Sequence, residues 1–271
     1  MTLETLAAPR KDGIMILING EENVDKLFLD SGFSFGRGVF ETMLVKEKPI
    51  LLANHMKRLN SGLITLGVNK KITQEEIYEA ILKLNCENCV LKIMVSEKNT
   101  IITTRPIPYT RSDYENGYSL GLSEVRRNAY SNLTYVKSLN YVENIIQRGI
   151  IIDKGYNEAL FLNTDGFLSE GAVSNIFFIK NGILYTPKIK CGLLPGIVRE
   201  FVIENSSAMG FIVQEGEFTY DQLLDAQGVF ITNSIMGIMK VVKVDDKVLN
   251  QSVIVSEIKR YYDKYVQEYR G

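Results

Sequence analysis

Tyr135-Val136-Lys137-Ser138-Leu139-Asn140-Tyr141 is the stretch where a strand-like segment gives way to an amphipathic helix, and the rest of the chain orders itself around its lysine. Taken alone, Lys137 reads as a solvated surface charge. Thirty-three residues later Glu170 stands in Leu168-Ser169-Glu170-Gly171-Ala172-Val173-Ser174-Asn175. Small residues surround it, in a turn-like segment between two strand candidates. A loop glutamate is equally ordinary by itself. The pair gains meaning from what lies on either side.

Downstream of Lys137 a helix packs Leu139, Val142, Ile146 and Ile150 inward and ends at Gly155, a C′ glycine. Ala159 to Leu162 and Ile176 to Ile179 are short apolar strands, and Asn181-Gly182 turns the second into Ile183 to Tyr185. A helix begins after Pro195. Another begins after Thr219, where Gln222 completes a capping box. Val229 to Thr232 and Val241 to Val244 are strands, and a helix from about Ser252 follows.

Upstream, a strand from Ile14 to Ile18 meets the hairpin turn Asn19-Gly20. Phe33 to Val45 is Gly-rich and then strand-like, with Glu41 and Thr42 inside it. Met56, Leu59, Leu63 and Leu66 recur at helical spacing, on a helix from about Asn54. Thr73 and Glu76 form a capping box ahead of Ile77, Ile81 and Leu84, and Val90 to Val95 pairs with Ile101 to Thr104. Between Pro106 and Gly117 the pattern breaks down. The expected division is therefore an N-terminal α/β domain over 1–117, a linker at about 106–125, and a barrel-like α/β domain over 118–271 that carries Lys137. Strands and helices alternate irregularly, so the class is α+β (mixed α/β).

The 271 residues are 45% hydrophobic and 23% charged, the balance of a globular protein. A net charge of −1 without a basic block disfavours nucleic acid as partner. No apolar run approaches the ~20 residues that cross a bilayer. Met1 to Lys11 lacks the order of a signal peptide, so a cytoplasmic location is expected. Cys86 and Cys89 form a C-x-x-C with no second pair, and the only histidine is His55. Two helix-end thiols in a reducing compartment are expected, with no metal site.

Lys137 and Glu170 suit two of the three tasks of a pyridoxal 5′-phosphate (PLP) site: an amine for the imine and an acid for the ring nitrogen. The third task is holding a dianionic phosphate. Leu194-Pro195-Gly196-Ile197-Val198-Arg199 offers a helix start whose free N–H groups at Ile197 and Val198 suit an anion, with Gly196 permitting close approach. Thr232-Asn233-Ser234 adds a second grip through Asn233 and Ser234, and Arg58 a fixed positive charge.

These signals occur in a telling order. Gly36-x-Gly38-Val39-Phe40-Glu41-Thr42, His55-x-x-Arg58-Leu59, Lys137-Ser-Leu-Asn-Tyr141, Glu170-Gly171 with Ser174-Asn175-Ile176-Phe177, Leu194-Pro-Gly-Ile197 and Thr232-Asn-Ser234 together resemble the class IV aminotransferase family. That fold-type IV group of PLP enzymes includes D-amino acid aminotransferases, branched-chain aminotransferases and 4-amino-4-deoxychorismate lyases. The resemblance implies a two-domain fold with PLP in the interdomain cleft, in a homodimer. It assigns the imine to Lys137 and the pyridinium partner to Glu170. Phosphate contacts fall to Arg58, the backbone of Ile197 and Val198, and Ser234. Val198 stands where many of these aminotransferases carry threonine, and Arg37 stands where an acid is common.

Within the family, Arg105-Pro-Ile-Pro-Tyr109, Ser123-Glu-Val-Arg126-Arg127-Asn128, Lys137 to Asn144 and Asn233 to Met239 are similar to bacterial aminodeoxychorismate lyases. The activity implied is conversion of 4-amino-4-deoxychorismate to 4-aminobenzoate and pyruvate, a step toward folate. The alternative is a class IV aminotransferase acting on branched-chain or D-amino acids. The lyase substrate carries two carboxylates. Arg105 and Arg126 are the candidate anchors, and Arg37 a third.

Overall fold

The computed structural model describes residues 15–22 and 26–269. Ile14 and the stretch Met1 to Lys11 lie outside them. Contacts divide the chain into two units. The first takes the chain up to Pro108, together with Val136–Asn140 and Tyr269; the second takes Tyr109–Tyr135 and Tyr141–Glu268.

In the first unit β1 (Ile16–Ile18) turns at Asn19 and Gly20, both at positive φ, into β2 (Glu21–Glu22). The short helix α1 (Ser31–Phe35) is capped by Asp30. It leads into β3 (Gly38–Val45), α2 (Leu52–Thr65), α3 (Gln74–Lys83), β4 (Cys89–Ser96) and β5 (Thr100–Arg105). The strands form an antiparallel sheet in the order β2-β1-β5-β4-β3. Alternation along β3 and β4 puts Val39, Met43, Leu91, Ile93 and Val95 on one face, where Met56, Leu59 and Leu63 of α2 and Ile77 of α3 complete the core. Thr73 caps α3 with Glu76, as the sequence predicts. Cys86 and Cys89, expected as free thiols, are instead joined in a disulfide. Asn85 and Asn88, at φ 43° and 49°, fold this connection between α3 and β4 back on itself.

The second unit contains α4 (Arg111–Asn116), β6 (Tyr118–Leu122), α5 (Val142–Asp153), β7 (Glu158–Leu162), β8 (Leu168–Gly171), β9 (Asn175–Lys180) and β10 (Ile183–Pro187). It continues through α6 (Ile197–Asn205), β11 (Ile212–Gly216), α7 (Tyr220–Leu224), β12 (Gly228–Asn233), β13 (Gly237–Val244), β14 (Lys247–Val248) and α8 (Val253–Glu268). Its mixed sheet runs β11-β10-β9-β12-β13-β6-β7-β8, with β14 on β13. Leu120, Leu160, Ile176, Phe178, Val229, Ile231, Met239 and Val241 pack on one face of it. The architecture is α+β, as expected. Among the described residues no helix is long and apolar enough to cross a membrane.

Three expectations are corrected here. The expected linker of about 106–125 holds a helix, because Thr110 and Asp113 make a capping box, while the division at Pro108 falls inside that stretch. Lys137 groups with the first unit, not with the expected second domain, because its segment hydrogen-bonds to β3. On α5 the buried residues are Asn144 and Ile151, while Val142, Ile146 and Ile150 are exposed. The helix turns its polar Asn144 toward partners on the turn after β8 and leaves an apolar face outward.

Candidate active site

The first unit supplies a cationic cluster built on β3. Gly38 admits no side chain, since a Cβ there would meet the Val95 carbonyl at 2.5 Å and Leu139 Cδ1 at 2.6 Å. This close approach lets the Lys137 segment lie along the strand. Phe40 N–H donates to the Lys137 carbonyl at 2.8 Å, and Leu139 N–H to the Gly38 carbonyl at 2.9 Å. Lys137 is therefore fixed by its backbone in an extended segment, five residues ahead of the first residue of α5. Its Nζ lies 4.3 Å from the centroid of the Phe40 ring.

On the α2 face of β3, fully buried Glu41 takes Arg58 in a fork, with Nε to Oε1 at 2.6 Å and Nη2 to Oε2 at 2.8 Å. His55 Nδ1 lies 2.7 Å from Glu41 Oε2. Burial alone would raise the Glu41 carboxyl's proton affinity, but Arg58 and His55 outweigh it and hold the group well below the ordinary glutamate range. Burial, aided by Arg58 and Lys137, drives the His55 pKa down against the pull of Glu41. A neutral imidazole donating from Nδ1 follows.

The opposite face of β4 carries Lys92, whose Nζ lies 5.2 Å from the same Phe40 ring centroid. Burial, with the charge of Arg105 adding to it, lowers its pKa. Arg105 ends β5 on that face and is exposed. Arg37 is turned away from such a role: its Nε donates to the Leu66 carbonyl at 2.8 Å and its Nη2 to that of Gly67, so it closes the C-terminal end of α2.

The second unit supplies an acid and an anion cradle. Glu170 lies on β8, a strand where the sequence suggests a turn. Its Oε2 accepts the Leu194 N–H at 3.0 Å, and Arg127 Nε stands 3.4 Å from its Oε1. Arg127 is buried, stacks its guanidinium 4.0 Å from the Phe161 centroid and donates through Nη1 to Asn144 Oδ1 at 3.0 Å. Its Nη2 has no hydrogen-bond partner among the described residues. Tyr141 Oη and Asn144 Nδ2 both donate to the Ala172 carbonyl, at 2.6 and 2.7 Å. Burial first, then the charge of Glu170, pushes the Tyr141 phenol's pKa up. Arg126, the arginine picked out from sequence, is exposed, while its neighbour Arg127 sits beside Glu170.

Helix α6 opens at Ile197 with Gly196 as its cap and no side-chain acceptor for its first N–H groups. Pro195 thus precedes the cap instead of opening the first turn. A Cβ on Gly196 would collide with Asn175 Oδ1, and Asn175 Nδ2 donates to the Leu194 carbonyl at 3.0 Å. Thr232 pairs with Asn175 across β12 and β9, which puts both side chains on one face of the sheet. Thr232 Oγ1 is buried without a partner among the described residues. An uncapped helix start beside an unpaired hydroxyl fits a phosphate. Val198 packs its side chain in the core, so only its N–H is offered. Asn233 spends its Oδ1 on the N–H groups of Ile235 and Met236, at 3.0 and 2.7 Å, and so shapes the turn that carries Ser234.

Glu41, His55, Lys92, Arg127 and Tyr141 are absent from the sequence-based assignments. No sequence signal singles out Arg127: Ser123 and Arg127 are buried and Glu124 and Arg126 exposed, an alternation continuing β6 that the structure alone reveals.

The class IV amino-transferase family model matches residues 38–244. An aminodeoxychorismate lyase of Bacillus subtilis is 30% identical over 255 residues, covering 86% of this chain and 87% of that protein. A putative branched-chain-amino-acid aminotransferase of Methanocaldococcus jannaschii is 29% identical, covering 92% and 94%. The crystal structure of a putative 4-amino-4-deoxychorismate lyase from Legionella pneumophila superposes with a TM-score of 0.82 at 28% identity, covering 89% of this chain and 96% of that one. By the extent of these matches the chain belongs to the class IV aminotransferase family, whose members are PLP-dependent enzymes.

Proposed function

We propose that this protein is a PLP-dependent lyase that converts 4-amino-4-deoxychorismate to 4-aminobenzoate and pyruvate, acting as a homodimer. The observation that carries the substrate class is the cation pair Lys92 and Arg105 on the sheet face shared with Phe40, against whose ring Lys137 Nζ rests. Two cations on the sheet face that carries Phe40 suit a dicarboxylate better than a branched-chain amino acid. The name of the Bacillus subtilis relative points the same way.

The residues fit the cofactor's three demands. Arg58, the N–H groups of Ile197 and Val198, and the hydroxyls of Thr232 and Ser234 would take the phosphate; Glu170 would accept the ring N–H. Bound PLP supplies an electron sink for the carbon that loses its proton. Lys137 Nζ removes the C4 proton of the substrate. The C3–O bond then breaks, the electron pair from C4–H becomes a ring double bond, and aromatisation drives the step. Lys137 returns the proton to the methylene carbon of the departing enolpyruvate, which becomes the methyl of pyruvate. The substrate's atoms divide between the two products, so no water, oxidant or 2-oxo acid is consumed. Arg105, Lys92 and Arg126 hold carboxylates in place.

The test supplies 4-amino-4-deoxychorismate to the PLP-loaded protein without any 2-oxo acid. Release of 4-aminobenzoate and pyruvate in equal amounts is expected. The second reading, an aminotransferase acting on branched-chain or D-amino acids, rests on the Methanocaldococcus jannaschii relative. It prevails if turnover occurs only with an amino acid and a 2-oxo acid together. Purified protein given PLP should turn yellow and bleach with borohydride; Lys137→Ala should stay colourless. A colourless wild type would sink the cofactor assignment.

A further inference from the structure

Two of the proposed cofactor contacts meet at the backbone of Leu194. Its N–H donates to Glu170 Oε2 at 3.0 Å, and its carbonyl accepts from Asn175 Nδ2 at 3.0 Å. Two residues on, Gly196 caps α6, whose first N–H groups have no side-chain acceptor. The run Leu194-Pro195-Gly196 therefore joins the acid to the anion cradle. It is a stiff run. The ring of Pro195 locks its own φ, and it confines Leu194 before it to extended conformations.

Side chains of β8 and β9 hold this segment. Consecutive residues of β8 take alternate residues of it: Ser169 Oγ donates to the Gly192 carbonyl at 2.8 Å, and Glu170 accepts from Leu194. Asn175 opens β9 and is 5% exposed. Its amide acts at both ends of the run. Nδ2 binds Leu194 ahead of Pro195, and Oδ1 lies 1.8 Å from where a Cβ on Gly196 would stand. The body of α6 has an anchor of its own: buried Arg199 donates through Nη2 to the Pro187 carbonyl at 2.8 Å and pairs with Glu215. Loss of the Asn175 amide would therefore free the cap and leave the helix in place.

We propose that Asn175 is a positioning residue: by clamping the run Leu194–Gly196 it sets the spacing between the Glu170 carboxylate and the N–H groups that open α6. The inference rests on the reading in which Glu170 meets the ring nitrogen of PLP and the start of α6 its phosphate. PLP carries both groups on one small framework. Both contacts form at full strength only where the protein already offers the matching spacing, and a clamp that fixes it spares the cost of ordering the run on binding. The clamp also couples the two contacts. An anion that stills the Gly196 cap stills Leu194 as well, and with it the N–H that Glu170 accepts.

Two measurements on the full chain separate this inference from the phosphate reading. In cofactor-free wild type, saturating inorganic phosphate should slow amide hydrogen exchange at Ile197 and Val198 and, through the clamp, at Leu194. In Asn175→Ala it should still slow Ile197 and Val198 but no longer Leu194. The second measurement compares PLP with pyridoxal, which lacks the phosphate. Asn175→Ala should shrink the ratio of their dissociation constants by roughly tenfold, the upper worth of one neutral hydrogen bond. A role in folding alone would weaken both ligands alike and leave the ratio where it was. Slowed exchange at Ile197 and Val198 without Leu194 in wild type, or an unchanged ratio in Asn175→Ala, overturns the assignment of Asn175. The first of these needs no variant to fold. Equal affinity of wild type for PLP and pyridoxal, with no effect of phosphate on α6, overturns the phosphate reading itself and the inference with it.

Discussion

Glu41 shows how a single buried side chain can orient the groups around it. Its carboxylate has two bonds from Arg58 and one from His55, three bonds from two partners. Glu41→Gln keeps the volume but leaves Arg58 facing an amide that can satisfy only one arm of the fork. Removing one member of a buried pair typically costs ~3–5 kcal/mol, and the lower end is expected because the Arg58 side chain keeps 16% exposure. Urea unfolding would measure it, and PLP affinity should fall in parallel as Arg58 loses its direction. On the substrate side, Arg105→Ala should raise the Michaelis constant with little change in PLP affinity. Lys92→Met should do the same, and adding it to Arg105→Ala should cost less than the sum if both hold one carboxylate. An unchanged Michaelis constant in both single variants removes the pair from the substrate site.

At the scale of elements, most helices and strands were legible because their signals are local. Thr73 with Glu76 and Thr219 with Gln222 are capping boxes in the structure as in the sequence, and Asn19-Gly20 makes the hairpin. The box of Thr110 and Asp113 was passed over because the prolines before it read as a break. Long-range facts were illegible for a different reason. Nothing local says that Arg127 and not Arg126 meets Glu170, or that Glu158 lies under the turn of residues 171–174; those contacts depend on which face of a strand is inward. Periodicity misled outright at α5, where Val142, Ile145 and Ile146 are 65%, 65% and 52% exposed. An apolar stripe marks burial against something, and within the second unit that something is absent. If the protein is the proposed homodimer, we expect this face to lie against the second copy. Ile145→Asp should leave thermal unfolding of the protomer intact and shift sedimentation toward monomer. An unchanged dimer would remove α5 from the interface.

At the scale of the whole molecule, three buried carboxyls set opposing pH dependences. Burial would raise Asp30, but Ser96 and the N–H groups of Lys98, Phe33 and Gly32 outweigh it and bring the group to about 2. Glu41 is depressed as well. Both groups bind protons less readily folded than unfolded, so the stability they contribute is full above the unfolded carboxyl range of ~4 and is lost as pH falls below it. Glu158 acts in the other direction. Its folded carboxyl binds a proton up to about 7, whereas the unfolded value is ~4.3, so stability falls as pH rises between them. Urea titrations should show a maximum near the lower end of that window, and Glu158→Gln should flatten the decline toward pH 7. A decline that survives the substitution would locate its cause elsewhere. The grouping of Val136–Asn140 with the first unit has a consequence for synthesis. A nascent chain that has emerged only as far as Pro108 has no partner to offer the Phe40 N–H or the Gly38 carbonyl, since Lys137 and Leu139 are still to come. At ~5–20 residues per second, the edge of β3 stays open for a few seconds after the five-stranded sheet has left the ribosome, and that interval is when a chaperone would find it.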